Sequence, residues 1–112
     1  MKVDYKNKKL EIPVHKVSSL GEITGLMFRT KNTKNLAFMF GKKTNLKIHS
    51  FFVFFNFLAV WLDEKNKVLD FKIVRPFTFA VKSKNPFQKL IEIPMSEKNS
   101  KIVDFFVGRG KV

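Results

Sequence analysis

Residues 51–62 read FFVFFNFLAVWL, with eleven apolar side chains and one amide in twelve positions. A segment of this kind must be buried, because it would otherwise promote aggregation. As a helix it would be only about 18 Å long, which is too short for the ~20 residues that cross a membrane. The run consists mainly of Phe, Val, Trp and Ala and contains no helix stop signal. This composition predicts one or two core strands that are covered on both faces.

The chain of 112 residues has the length of one domain, 1–112, with a flexible N-terminus expected over residues 1–8. The sequence contains no cysteine, which excludes disulfides and thiolate metal sites. Charged residues at the N-terminus are not followed by the apolar stretch of a signal peptide, and a cytoplasmic protein without a transmembrane segment is therefore expected.

The charge balance is strongly basic, with 22 Lys and Arg against nine Asp and Glu and a net charge of +13. Such a balance is typical of proteins that bind nucleic acid or other polyanions. The basic residues are nevertheless spread along the chain, and only three of them are Arg, the residue that grips phosphate and guanine in bidentate fashion. Two interpretations therefore stay open: a polyanion-binding face, and a solvated lysine surface that reflects A/T-rich coding.

Alternating and capped segments surround the central run. Strands are predicted for Leu10–His15, Leu36–Phe40, Val68–Val74, Pro76–Val81 and Leu90–Ile93, with helical turns over Ser19–Phe28 and from Ser96 to about Val103. The stretch from Leu46 to Leu62 is too long for one strand, so a break is expected near Ser50 or Asn56. Asp63–Lys67 predicts a turn with Asn66 at positive φ. The predicted fold is a β-rich α+β single domain, a mostly antiparallel, partly closed barrel-like sheet with one or two short helices.

Several motifs follow one another in an order that resembles the domain-of-unknown-function 192 family, also called uncharacterised protein family 0127. They are Gly25-Leu26-Met27-Phe28-Arg29, Asn35–Phe40, His49-Ser50-Phe51-Phe52, Trp61-Leu62-Asp63, Leu90–Pro94 and Phe106-Val107-Gly108. The first is the most specific, and together they cover about residues 8–112. The resemblance implies a compact α+β fold with a barrel-like sheet and no established activity.

The chain departs from the pattern of that family at its polar positions. Phe54, Asn56 and Leu58 stand where the family shows Arg, Pro and Asp, and Gly108-Arg109 replaces a glycine-aspartate pair. Leu58 can neither accept a proton nor ligate a metal, which indicates a divergent member with an altered or lost site. Alternatively the family's Asp and Arg form a structural ion pair, which apolar residues can replace without loss of stability.

Few residues point to chemistry. His15 and His49 lack a third metal ligand at a suitable spacing, and Gly108-Arg109-Gly110 lacks the third glycine of a nucleotide loop, so no cofactor and no metal are expected. Arg29 suits the end of a helix or an ion pair with a sheet carboxylate such as Glu92. The candidate ligand or polyanion contacts are Arg29, Lys42, Lys43, Lys47 and His49.

Three functions from different classes remain. The first is a small non-enzymatic domain that binds an unknown ligand or protein as a monomer or homodimer. The alternative is RNA or DNA binding through a lysine face that includes Lys42, Lys43 and Lys47. Hydrolase or transferase chemistry is the third, and it requires a pocket that joins Glu92 to His49.

Overall fold

The computed structural model describes residues 1–17, 26 and 29–108, and it contains seven strands in that part of the chain. The elements in order are β1 (Lys2–Tyr5), β2 (Lys8–Glu11), β3 (His15–Val17), β4 (Leu36–Thr44), β5 (Phe57–Leu62), β6 (Val68–Val74), β7 (Phe87–Pro94), a 3₁₀ turn (Glu97–Asn99) and the helix α1 (Ser100–Val107). Except for Leu26, the predicted helix over Ser19–Phe28 lies outside the described residues, as do Arg109 and Gly110.

The strands form a five-stranded sheet in the order β3-β4-β7-β5-β6 and a separate β1-β2 hairpin. Only the β3–β4 pair is parallel, which confirms the mostly antiparallel, β-rich prediction with a short helix. The prediction of a partly closed barrel is wrong, because β3 and β6 remain the two edges of an open sheet. The first residues of the chain, expected to be flexible, contain β1 and pair with β2.

Strand β5 lies between β7 and β6, and all six of its residues are buried. Leu58, Val60 and Leu62 point to one face, where they pack with α1 and the β1–β2 hairpin. Phe57, Ala59 and Trp61 point to the other face, where they pack with residues of β3, β4, β6 and β7 and with Leu26. The predicted cover on both faces is therefore confirmed for residues 57–62, where the continuous apolar run replaces the usual alternation.

The first half of the same run behaves differently. The predicted break is confirmed at Asn56, but residues 51–56 form a loop in which Phe52 and Phe54 are exposed. The prediction that the whole run is buried is therefore wrong. The strand predicted over Pro76–Val81 is also wrong, since this segment is a loop whose only strand-like pairing is the bridge between Ile48 and Val81.

Two local predictions concern the segments that directly follow β5 and β7. Asn66 has a φ of 66°, and the Asp63 carboxylate accepts hydrogen bonds from the backbone N–H groups of Lys65 and Lys67, which confirms the turn. After β7, Ser96 precedes the 3₁₀ turn without a side-chain capping bond, and α1 continues past the expected end. No helix in the described ranges is long and apolar enough to cross a membrane.

We expect Leu58→Ala to lower the free energy of unfolding by about 2–5 kcal/mol, because it opens a cavity in the centre of the core. Its cross-strand partner Ile73 is 41% exposed and provides a matched control. Ile73→Ala should lower the free energy of unfolding by less than about 1 kcal/mol, because the Ile73 side chain is already partly in contact with water and little buried apolar area is lost. Urea unfolding of both variants measures the difference, and equal losses would contradict the burial of Leu58 in the core.

Candidate functional site

Aromatic rings from two loops, residues 48–56 and 75–81, contact one another across the loops, and all of them except the half-buried Phe51 are exposed. We call this group the aromatic surface. Its members are His49, Phe51, Phe52, Phe54, Phe77 and Phe79. Phe54 is 63% exposed and Phe79 is 78% exposed, which is unusual for large apolar side chains in a domain of this size. Contiguous exposed apolar groups of this kind mark binding surfaces more often than isolated ones do.

The rings make ordered contacts with one another. Phe77 packs edge to face against Phe54 and Phe52, with centroid distances of 5.4 and 6.2 Å. Phe79 and Phe51 form a perpendicular pair at 4.9 Å, and the His49 ring lies 5.1 Å from Phe51. Edge-to-face pairs of this geometry are favourable contacts between aromatic quadrupoles. They hold the rings in place while leaving ring faces open.

A buried serine joins the two loops. Ser50 has no exposed surface, and its hydroxyl donates to the carbonyl oxygen of Arg75 at 2.6 Å and accepts from the backbone N–H of Thr78 at 2.6 Å. Its backbone adds two further bonds, from Ser50 N–H to the Thr78 carbonyl and from Phe77 N–H to the Ser50 carbonyl. Four hydrogen bonds on one residue therefore fix the relative position of the loops.

The backbone at two of the exposed rings is in the left-handed region. Phe52 has a φ of 58° and Phe77 a φ of 56°. Bulky residues avoid this conformation, which costs on the order of 1–2 kcal/mol relative to right-handed backbone. The described part of the chain also places Lys6, Asn7 and Asn66 at positive φ, and asparagine is a residue that tolerates it. The loops therefore hold two phenylalanines in a conformation that local preference disfavours.

Cations surround the aromatic surface. Lys47 and Lys82 flank the antiparallel bridge between Ile48 and Val81, so the register places them opposite each other. The Lys72 ammonium donates to the Lys82 carbonyl oxygen at 2.7 Å, which brings a third cation to this end of the surface.

At the other end, a cavity of about 410 Å³ is lined by Arg29, Thr30, Lys31, Phe54 and Phe55. The Arg29 guanidinium donates to the hydroxyl of Thr33 at 3.2 Å. Two aromatic side chains and two cationic residues therefore share the wall of one cavity.

No carboxylate belongs to either segment that carries this surface. Residues 41–62 and 71–91 contain eight Lys or Arg and no Asp or Glu, although the chain has nine acidic residues. The net charge of the two segments is therefore positive. A ligand with negative charge and flat groups complements such a surface.

The structure brings together some of the residues that the sequence selected and separates others. His49 belongs to the aromatic surface, Lys47 adjoins it at the bridge, and Arg29 lines the cavity beside Phe54. Lys42 and Lys43 are exposed near the end of β4, and no described contact joins them to the aromatic surface.

Sequence reasoning missed Phe54, Phe77 and Phe79, because alternating phenylalanines are typical of core strands. Pro76 gave a signal against this interpretation, since proline is disfavoured inside a sheet.

Glu92 occupies a different environment. It lies on β7 between Leu36 of β4 and Ala59 of β5, on the face where Phe57 and Trp61 pack. Burial raises the pKa of Glu92 to about 8, because the charged carboxylate loses its hydration there. Among the described residues no ion pair joins Glu92 to Arg29 and no hydrogen bond joins it to His49.

A second cavity, of about 540 Å³, lies beside the 3₁₀ turn and is lined in part by Asn35 and Asn99. The Asn35 amide donates to the Pro13 carbonyl and to the Asn99 side chain, and the Asn99 amide donates to the Pro94 carbonyl. The free Oδ1 of Asn35 is closed off from solvent. These amides therefore hold the chain together rather than face a ligand.

In residues 1–17, 26 and 29–108, no three His, Asp or Glu side chains form a cluster that could hold a metal ion. The candidate site in that part of the chain consists of rings and cations. Such groups can bind and orient a ligand through stacking and charge.

The fold defines a class, an open five-stranded, mostly antiparallel sheet with a hairpin and a short helix on one face, and solved structures share it. A protein of unknown function from Novosphingobium aromaticivorans superposes with a TM-score of 0.72 at 12% identity, over 90% of this chain and 75% of that one. A candidate transcription regulator from Sinorhizobium meliloti superposes with a TM-score of 0.73 at 11% identity, over 90% of this chain and 81% of that one. No family model and no curated protein matches the chain. Identities this low show a common fold alone.

We expect Phe77→Gly to be more stable than Phe77→Ala by roughly 1 kcal/mol, because both variants lose the ring and only glycine relieves the positive φ. Phe54 provides the control, since it is exposed without positive φ. There Phe54→Ala should be the more stable of the two variants by about 0.4–1 kcal/mol. Chemical denaturation of the four variants tests the reversal of sign, and the same order at both positions would contradict the strained backbone.

We expect the stability of the protein to fall as the pH rises between about 4.5, the ordinary pKa of glutamate, and about 8, the pKa of buried Glu92. In this window the unfolded chain releases the Glu92 proton and the folded chain keeps it, so ionisation favours unfolding. Glu92→Gln removes this proton and should gain stability over the wild type progressively from pH 5 to pH 8.

The exposed carboxylate of Glu97 provides the control, because Glu97→Gln should leave the pH dependence unchanged. Urea midpoints of the three proteins at pH 5 and pH 8 measure the effect. Parallel behaviour of Glu92→Gln and the wild type would show that Glu92 is not buried in its neutral form.

Proposed function

We propose that this chain is a non-enzymatic binding domain that recognises polyanionic ligands through the aromatic surface and the cations around it. The observation that carries the proposal is the exposed rings, held on two hydrogen-bonded loops, in two segments that contain eight cations and no carboxylate. Exposed rings lower solubility and bury little apolar area in the isolated domain, so a ligand that covers them would account for their position.

The arrangement of the lysines supports a negatively charged ligand. Lys47 and Lys82 lie opposite each other across the bridge, and like charges at opposite positions of two strands destabilise the pair. An anion between the two ammonium groups converts this repulsion into two attractions. The loops are therefore better matched to a charged ligand than to an apolar protein surface.

We also propose that the chain is a divergent member of the domain-of-unknown-function 192 family. The order of the quoted motifs supports this proposal: Asn35–Phe40 begins at the start of β4, Trp61-Leu62 ends β5 and Leu90–Pro94 ends β7. At the altered positions, Phe54 belongs to the aromatic surface and Leu58 to the core. A polar site of the family at these positions would therefore be replaced here by an aromatic one.

The test compares two variants with the same change of charge. We expect Lys47→Glu/Lys82→Glu to weaken heparin binding at least about tenfold at 50 mM salt and to flatten its salt dependence, because each lost phosphate or sulfate contact removes released counterions. Lys8→Glu/Lys9→Glu alters two exposed lysines of the separate hairpin and should have a much smaller effect. Fluorescence titration at 50 and 200 mM salt measures both, and equal losses would show that only the net charge matters.

A further inference from the structure

The most exposed rings of the aromatic surface present flat faces to solvent. Phe54 and Phe79 are 63% and 78% exposed, and each is supported by a neighbouring ring in an edge-to-face contact. A perpendicular contact occupies only one face of one ring in each pair, so further faces remain available for stacking. The rings lie on loops that Ser50 ties together, so the spacing between them is largely fixed before a ligand arrives.

Cationic groups lie near these rings at several points. Arg29 and Lys31 line one cavity with Phe54, Arg75 begins the loop that carries Phe77, and Lys47 and Lys82 lie at the bridge that ends this loop. A ligand that suits these groups carries both flat aromatic groups and negative charges. Single-stranded nucleic acid has this chemistry, with one phosphate for each base.

We infer that the polyanion is single-stranded nucleic acid, whose bases stack on Phe54, Phe77 and Phe79 while its phosphates lie against the neighbouring lysines and arginines. The inference rests on the proposed function and names the ligand class of the same surface. A duplex does not fit, because its bases are stacked on one another and offer no free faces to the rings. Sulfated or phosphorylated polymers without bases match the cations and leave the rings uncovered.

The same chemistry indicates weak sequence preference. Every base has a π-face, so stacking on phenylalanine tolerates all four bases. Lysine provides most of the charge, and as a point charge it lacks the rigid fork with which arginine reads guanine. Oligo-dT and oligo-dA of equal length should therefore bind within about one order of magnitude of each other, with differences that follow stacking strength.

The experiment measures fluorescence anisotropy of labelled 12-mers of single-stranded DNA and RNA, the corresponding DNA duplex and heparin. The ring variant is Phe54→Leu/Phe79→Leu, which keeps apolar side chains and removes both flat faces. The control is Leu46→Ala/Ile73→Ala, which alters two other exposed apolar residues. Circular dichroism and urea midpoints verify that all proteins are folded. If the double ring variant is not folded, Phe79→Leu alone takes its place.

The inference is supported by three results together: the wild type binds single strands more tightly than the duplex, the ring variant has about tenfold or more lower affinity for single strands, and its heparin binding is unchanged. A loss of about tenfold is the size expected for one or two lost stacking contacts. It is overturned if single strands, duplex and heparin bind equally well and the ring variant changes none of them; the proposed polyanion function then stands. If none of these ligands binds at 50 mM salt, both proposals fail. Self-association that buries the rings, seen by sedimentation and abolished in the ring variant, would also overturn the inference.

Discussion

The burial of β5 on both faces is the constraint on which the rest of the structure depends. Six consecutive apolar residues leave no side of this strand that can meet water. The chain must therefore supply a layer on each face and a strand on each side. α1 and the hairpin cover one face, and β6 and β7 pair with its edges. An interior position in the sheet meets the second requirement, and β5 occupies one between β7 and β6.

The same apolar run divides at Asn56 into two parts with opposite roles. Residues 57–62 stabilise the fold, whereas residues 51–56 leave the sheet and expose Phe52 and Phe54. Ser50 makes this division possible, because its hydroxyl and backbone provide partners for the loop that β-sheet hydrogen bonds would otherwise supply. One segment thus builds the core and begins the candidate binding surface directly beside it.

Sequence patterns predicted the core better than the surface for a physical reason. Val68–Val74 was predicted with its exact ends, and Asn66 with its positive φ, because both depend on local signals: alternation for the strand and turn chemistry for the asparagine. The exposure of Phe77 and Phe79 depends instead on the buried bonds between Ser50 and a loop about 25 residues away, as in its 2.6 Å contact with the Arg75 carbonyl. No local pattern encodes a contact of that range. The prediction of a partly closed barrel was wrong for a similar reason, because closure depends on whether the edge strands β3 and β6 meet.

The positive-φ positions provide an internal comparison that favours a functional role for the rings. Where the described chain needs left-handed backbone only to turn, it uses the polar residues Lys6, Asn7 and Asn66, and the two asparagines adopt that conformation at low cost. At Phe52 and Phe77 the same backbone carries bulky rings that are about half exposed, so neither conformational preference nor burial accounts for the residue type. Strain of this kind persists only when the surrounding structure enforces it, as the bonds to Ser50 do here. A residue type that is unfavourable for its backbone and for its contact with water is explained most simply by what the ring contacts in a complex.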